Sequence, residues 1–180
     1  PRLIVNAAAY TAVDKAETES DKSHNINTLA PKTLAEEARA LGCPFIHYST
    51  DYVFDGSKQT PYTEEDQPNP INVYGESKLA GEQALLSSDA NAWILRVSWV
   101  YSTRGNNFLL SMKRLMAERD ELTVVADQIG TPTWAAGLAG ALWRAVSRPA
   151  LAGIYHWSDA GVCSWYDFAV AIEEEGRSLG

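Results

Sequence analysis

Tyr74 and Lys78 stand four residues apart in the run Asn72-Val73-Tyr74-Gly75-Glu76-Ser77-Lys78-Leu79-Ala80-Gly81-Glu82. Residues so spaced are neighbours on one face of a helix. A phenol held beside an ammonium is a candidate proton donor and acceptor near neutral pH, because the positive charge favours the phenolate. Moving a phenol from pKa about 10 to about 7 takes roughly 4 kcal/mol. One charge at about 4 Å, with an effective dielectric near 20, supplies roughly that much. A solvated helix surface carries such pairs too, so the chemistry depends on what else converges on them. The candidates are the hydroxyls of Ser49-Thr50, the small-residue run Asn6-Ala7-Ala8-Ala9, and Trp99 in Ser98-Trp99-Val100-Tyr101.

The elements that must position these groups can be read from the apolar pattern. Leu3-Ile4-Val5 is a continuous apolar run of the kind buried in a parallel sheet, and it opens into the alanine loop. Small side chains past a strand end let a ligand approach the backbone, and strand carboxyl ends are where open α/β sheets bind ligands. Thr11 to Thr18 reads as a polar loop or first turn. Asp21 to Leu41 is helical in pattern (Ile26, Leu29, Leu34, Ala38, Leu41), with Pro31 expected to kink it or to start a second segment, and a cap at Gly42. Pro44 to Ser49 is a second strand, which makes a βαβ unit and a parallel sheet. Val53 to Asn69 is a long polar excursion. Asn69 or Asn72 caps a helix that runs to about Leu86, and a third strand is expected from Ala92 to Tyr101. Beyond it the pattern predicts a helix over 106–118, a strand over 122–125, a turn-rich loop over 127–133, a helix over 134–146, a strand over 153–157 and a helix over 165–175.

The chain has 180 residues, of which 46% are hydrophobic, and a net charge of −8. That is enough for a sizeable core, and the charge argues against a nucleic-acid or anionic-membrane surface. Cys43 and Cys163 lack metal-ligand spacing and read as reduced structural thiols of an intracellular, cytoplasmic protein. No run has the length of a signal peptide core or a membrane span. The chain starts without methionine, directly on a core strand, so it is expected to be part of a longer protein.

The stretches Val5 to Glu17, Tyr48 to Phe54, Asn72 to Glu82, Arg96 to Tyr101, Gly105-Asn106-Asn107-Phe108 and Asp127 to Thr133 together resemble the extended short-chain dehydrogenase/reductases. Within them the chain is most similar to the dTDP-4-dehydrorhamnose reductase family. The resemblance implies a Rossmann-like α/β fold: a parallel sheet with helices on both faces, incomplete here, plus part of a smaller substrate-binding subregion. Residues 1–101 would be the central and C-terminal part of the NAD(P)-binding domain. Residues 102–180 would be a partial substrate-binding region with remaining Rossmann elements. It further implies that Tyr74, Lys78 and Thr50 are catalytic, and that Ala7, Ala8 and Ala9, with Tyr74 and Lys78, meet NADPH or NADH. Thr11, Val13, Thr50, Asp51 and Trp99 would meet a nucleotide sugar, with Trp99 offering its face to the hexose. Asn27 falls where related enzymes keep an asparagine on a proton relay. The implied reaction is reduction of the C4 keto group of dTDP-4-dehydro-6-deoxy-L-mannose, by a protein that is a homodimer at full length.

The pattern departs from the family in two places. No glycine-rich phosphate-binding turn follows a first strand, so the 180-residue chain by itself is expected to bind NADPH poorly and to be inactive. Some members bind magnesium through a carboxylate soon after Thr-Pro-Thr; here Trp134-Ala135-Ala136-Gly137 offers none, and no metal is expected. Two other readings share the motifs. One is a non-catalytic partner like the regulatory subunit of methionine adenosyltransferase, against which Trp99 and the Thr50/Tyr74/Lys78 set argue. The other is a nucleotide-sugar epimerase or dehydratase, which would retain NAD tightly.

Overall fold

Neighbouring parallel strands need a crossover of about a dozen residues or more, and the apolar runs of this chain are separated by segments long enough to supply one. The structure, a computed structural model, describes residues 1–146 and 152–179. Strand β1 (Ile4–Asn6) is followed by a short helix α1 (Val13–Ala16), helix α2 (Ser20–His24), a π-helical turn at Asn25–Leu29 and helix α3 (Ala30–Ala40). Then come strand β2 (Phe45–Thr50), a 3-10 turn at Asp51–Val53, helix α4 (Val73–Leu86) and strand β3 (Ala92–Val97). The remaining elements are β4 (Val100–Tyr101), α5 (Phe108–Glu118), β5 (Ile129–Gly130), β6 (Thr133–Trp134), α6 (Ala135–Ala145), β7 (Gly153–Trp157), β8 (Cys163–Ser164) and α7 (Trp165–Leu179). The main sheet has the order β1-β2-β3-β7. Strand β2 runs parallel to both neighbours, Ile4 lying opposite Phe45 and Phe45 opposite Ala92. The α/β class read from the sequence is the one observed.

The described residues divide into two units, 1–97 with 152–156, and 98–146 with 157–179. In the first unit, Phe45 and Ile94 of the sheet meet Leu85 of α4 and the alanines Ala35 and Ala38 of α3 in a fully buried cluster. Each of the large side chains contributes about 1.5–3 kcal/mol by leaving water. Helix α4 comes so close to the π turn that a methyl group on Gly81 would collide with the backbone oxygen of Asn27. The second unit packs α5 against α7. Phe108 lies 4.6 Å from Trp165, and Leu138, Leu142, Ala169 and Ile172 are buried.

The differences from the sequence pattern have local causes. Of the two readings open for Thr11 to Thr18, a loop or a first turn, residues 13–16 take the second and form the single turn α1. Pro31, expected to kink the helix or to start a second segment, stands in the first turn of α3, directly after the π turn. Proline lacks the N–H that would bond four residues back and its ring crowds that carbonyl, and a wider turn relieves both problems. The expected third strand ends at Val97, because Trp99 takes a positive φ of 45° and turns the chain out of the sheet into β4. The strand expected at 122–125 does not form. Val125 accepts one hydrogen bond from the Tyr166 amide (2.9 Å), and Ile129–Gly130 instead pairs antiparallel with β8.

Candidate active site

The site is built where β2 ends against the start of α4. The Asn72 side chain caps α4 by accepting from the Gly75 amide at 2.8 Å, which sets where the first turn begins. Gly75 lies so close to the Tyr52 carbonyl that a side chain there would overlap it. This approach brings α4 down onto the 3-10 turn that follows Thr50. Tyr74, Lys78 and Glu82, spaced four apart, form one face of the helix. All three are buried, at 8%, 1% and 1% exposure. The solvated-surface reading of the Tyr74/Lys78 pair is therefore excluded.

Lys78 is held by β2. Its Nζ donates to the Tyr48 carbonyl at 2.6 Å and lies 3.3 Å from Nε2 of His47. Burial lowers its pKa to about 8, against the opposing pull of the Glu82 carboxylate. The Tyr74 phenol moves the other way, to about 12. Burial is the main cause, a hydrogen bond from Thr50 opposes it, and Asp51 and Tyr52 add to the rise. This corrects the expectation that Lys78 lowers the tyrosine. The amine turns to Tyr48 and His47, so desolvation dominates and the phenol keeps its proton at neutral pH.

Thr50 donates to the Asp51 carboxylate (3.1 Å) and accepts from the Tyr52 amide (3.2 Å). Its single proton must turn from Asp51 to serve the Tyr74 oxygen. Burial raises Asp51 to about 6, opposed by the Thr50 hydroxyl and backbone amides. The Tyr74 ring packs edge-on against Tyr52, centroids 5.5 Å apart, in a cluster with Tyr10, Ala16 and half-buried Val13.

The other predicted residues occupy different surroundings. Ala7, Ala8, Ala9 and Thr11 are exposed in the loop after β1. Asn27 is buried, accepting from the Tyr10 amide (2.8 Å) and donating to the Tyr10 carbonyl (3.0 Å) and to Ser77 Oγ (3.0 Å). Ser77 in turn donates to the Tyr74 carbonyl at 2.7 Å, so Asn27 ties the loop to α4. Trp99 belongs to the second unit, where one indole face is stacked on Trp165 with centroids 3.6 Å apart. That face is closed to a sugar.

Four polar residues had no site role assigned from the sequence. Glu82 accepts from Ser49 and from Arg96 through Nε (3.0 Å) and Nη2 (2.7 Å), an ion pair almost wholly out of water. Arg96 also lies over the Phe54 ring, 5.1 Å from its centroid. His47 and Asn6 complete a second chain beside Lys78, with Asn6 Nδ2 3.1 Å from His47 Nδ1. The available signals were polar residues at alternating positions of β2, and Glu82 one further turn along the Tyr74/Lys78 face.

A parallel sheet whose strand end meets a helix bearing a buried phenol and amine gives a Rossmann-like α/β fold with a polar site at the strand end. The family model described as the RmlD substrate binding domain matches residues 1–179, and the chain belongs to that family. It is 48% identical over 184 residues to the dTDP-4-dehydrorhamnose reductase of Escherichia coli strain K12, covering 100% of this chain and 62% of that protein. It is 49% identical to the Sinorhizobium fredii reductase of the same name, covering 99% of this chain and 64% of that one. The crystal structure of the dTDP-4-dehydrorhamnose reductase of Bacillus anthracis in complex with NADP superposes with a TM-score of 0.95 at 42% identity, over 98% of this chain and 63% of that one. The chain thus spans a little over three-fifths of the length of these relatives.

Proposed function

We propose that the protein containing this chain reduces the C4 keto group of dTDP-4-dehydro-6-deoxy-L-mannose to give dTDP-L-rhamnose, using NADPH or NADH. The observation that carries the reading is the buried set of Thr50, Tyr74 and Lys78 at the end of β2, in a chain nearly half identical to reductases of that name. The residues suit the cofactor. Ala7, Ala8 and Ala9 end at a methyl group and are exposed, which leaves the backbone beyond β1 open to close approach. Lys78 keeps N–H groups beyond the one given to Tyr48. Bound NADPH or NADH supplies the hydride.

Tyr74, with a pKa of about 12, carries its proton at neutral pH and is loaded as the acid. It gives that proton to the sugar oxygen as negative charge develops there. Thr50 turns its hydroxyl toward the same oxygen, so two donors meet charge that exists only in the transition state. Lys78 is assigned to hydrogen-bond the nicotinamide ribose of the cofactor with the N–H groups that Tyr48 leaves free. Thr11, Val13, Asp51 and Trp99 are assigned to the sugar nucleotide. Residues 1–101 are assigned to the cofactor domain and 102–180 to substrate binding. The protein works in the cytoplasm, as a homodimer. Two unpaired cysteines support that location, and among the described residues no helix is long and apolar enough to cross a membrane.

The test is Tyr74→Phe in the whole protein. Turnover of the 4-keto sugar nucleotide should fall by about 10²-fold or more while the sugar nucleotide still binds. Turnover unchanged by the substitution overturns the mechanism.

A further inference from the structure

His47 is fully buried, and the roles just assigned leave it unused. Its hydrogen bonds can be assigned without ambiguity. The Ala8 backbone amide, which can only donate, meets Asn6 at 3.1 Å, so the atom facing it is the carbonyl oxygen Oδ1. Asn6 Nδ2 is then the atom turned to His47 Nδ1 at 3.1 Å, and it too can only donate. His47 Nδ1 must be the acceptor, so the ring proton sits on Nε2. That proton points at Lys78 Nζ, 3.3 Å away. An ammonium has no lone pair to receive it, whereas a neutral amine has. The chain Ala8–Asn6–His47–Lys78 is therefore satisfied throughout only when Lys78 is uncharged.

We propose that His47 is a positioning residue that favours the neutral form of Lys78, and that it couples the lysine's protonation to the Asn6–Ala8 loop. The proposal rests on the assignment of Lys78 to the reducing site. When Lys78 takes up a proton, His47 must present a lone pair at Nε2. The ring proton leaves Nε2 and reappears on Nδ1, so the imidazole neither gains nor loses a proton overall. Nδ1–H then needs an acceptor, which Asn6 provides by turning its amide, and the turn releases the Ala8 amide. Charging the lysine thus frees a backbone donor among the exposed alanines that the cofactor is expected to meet.

The other groups around Lys78 do not perform this task. Glu82, one turn along α4, favours the charged lysine, and its charge is already paired with Arg96 of β3. The Tyr48 carbonyl accepts from amine and ammonium alike. Tyr74, one turn back, stays a neutral phenol. Burial of His47 and its nearness to Lys78 keep the imidazole uncharged down to about pH 3, so it acts by its tautomer and not by its charge.

Nitrogen-15 NMR of histidine-labelled whole protein, with carbon-13 at lysine Cε, reads both partners without requiring activity. Across the Lys78 titration the His47 proton should move from Nε2 above the midpoint to Nδ1 below it. Asn6→Asp keeps an acceptor for Ala8 but offers only acceptors to the ring. It should hold His47 in the Nδ1–H form and raise the Lys78 midpoint by one pH unit or more. His47→Asn keeps an acceptor for Asn6 and removes the group facing Lys78; it too should raise the midpoint, and with it the acidic limb of the kcat/KM profile. A fixed Nδ1–H tautomer in the wild type, or an unmoved Lys78 midpoint in both variants, overturns the proposal and leaves His47 as core packing. A wild-type protein with the tautomer switch but no reduction of the sugar nucleotide would retain the coupling and reject the reductase reading instead.

Discussion

Glu82→Gln tests whether the ion pair beneath the candidate site holds it up. Glu82 and Arg96 are 1% and 4% exposed, and the carboxylate accepts from Arg96 Nε and Nη2 as well as from Ser49. The amide keeps one acceptor oxygen but loses the charge and the second oxygen, so the guanidinium is left buried without its counter-ion. Breaking a buried pair at one partner costs about 3–5 kcal/mol, mostly the desolvation of the orphaned charge. Removing Glu82 also removes the influence that raises Lys78, so the lysine midpoint should fall further below about 8. The assay is urea unfolding, with a constant slope showing that the unfolded state is unchanged. The double variant Glu82→Met with Arg96→Met should regain most of the loss, because well-packed apolar groups often replace a buried pair at little cost. A loss below about 1 kcal/mol in the single variant, or a double variant as damaged as the single, would refute the reasoning.

Gly81→Ala should cost about 1–3 kcal/mol by forcing α4 away from the Asn27 carbonyl, and thermal melting checks it. Asp51 has a folded pKa raised to about 6 from 3.8, so its burial costs nothing below about pH 4 and lowers stability as the pH rises through 6. Asp51→Asn should therefore gain on the wild type between pH 4 and 7. The gain should level off at about 1–3 kcal/mol, the shift being discounted for partial exposure of the side chain. Equal pH dependence of stability in the two proteins would show that Asp51 is solvated. Tyr74 is raised from 10 to about 12, so its contribution is complete below pH 10 and is lost as the pH rises through 12. Tyr74→Phe should remove that alkaline loss as well as the turnover.

Much of the site was legible in the amino-acid order because local rules fix it. The Tyr74/Lys78 spacing, the Asn72 cap and the glycine after Leu41 act within one or two helical turns. The apolar runs at Ile4, Phe45 and Ala92, alternating with helical segments, fit strands buried in a parallel sheet. The charge state of the phenol was not legible, because desolvation depends on what covers a group, and residues from Tyr10 to Tyr52 do the covering. Nor was the end of the third strand, where one residue, Trp99, takes a positive φ against its propensity and stacks on Trp165 sixty-six positions later. Sequence alone determined which side chains could do proton chemistry and that they share a helix face. The tertiary structure decided that the face is buried, that Lys78 turns to His47 and Tyr48, and that Glu82 is matched by Arg96. Burial and long-range pairing set the sign of an electrostatic effect, and neither is a property of neighbouring residues in the chain.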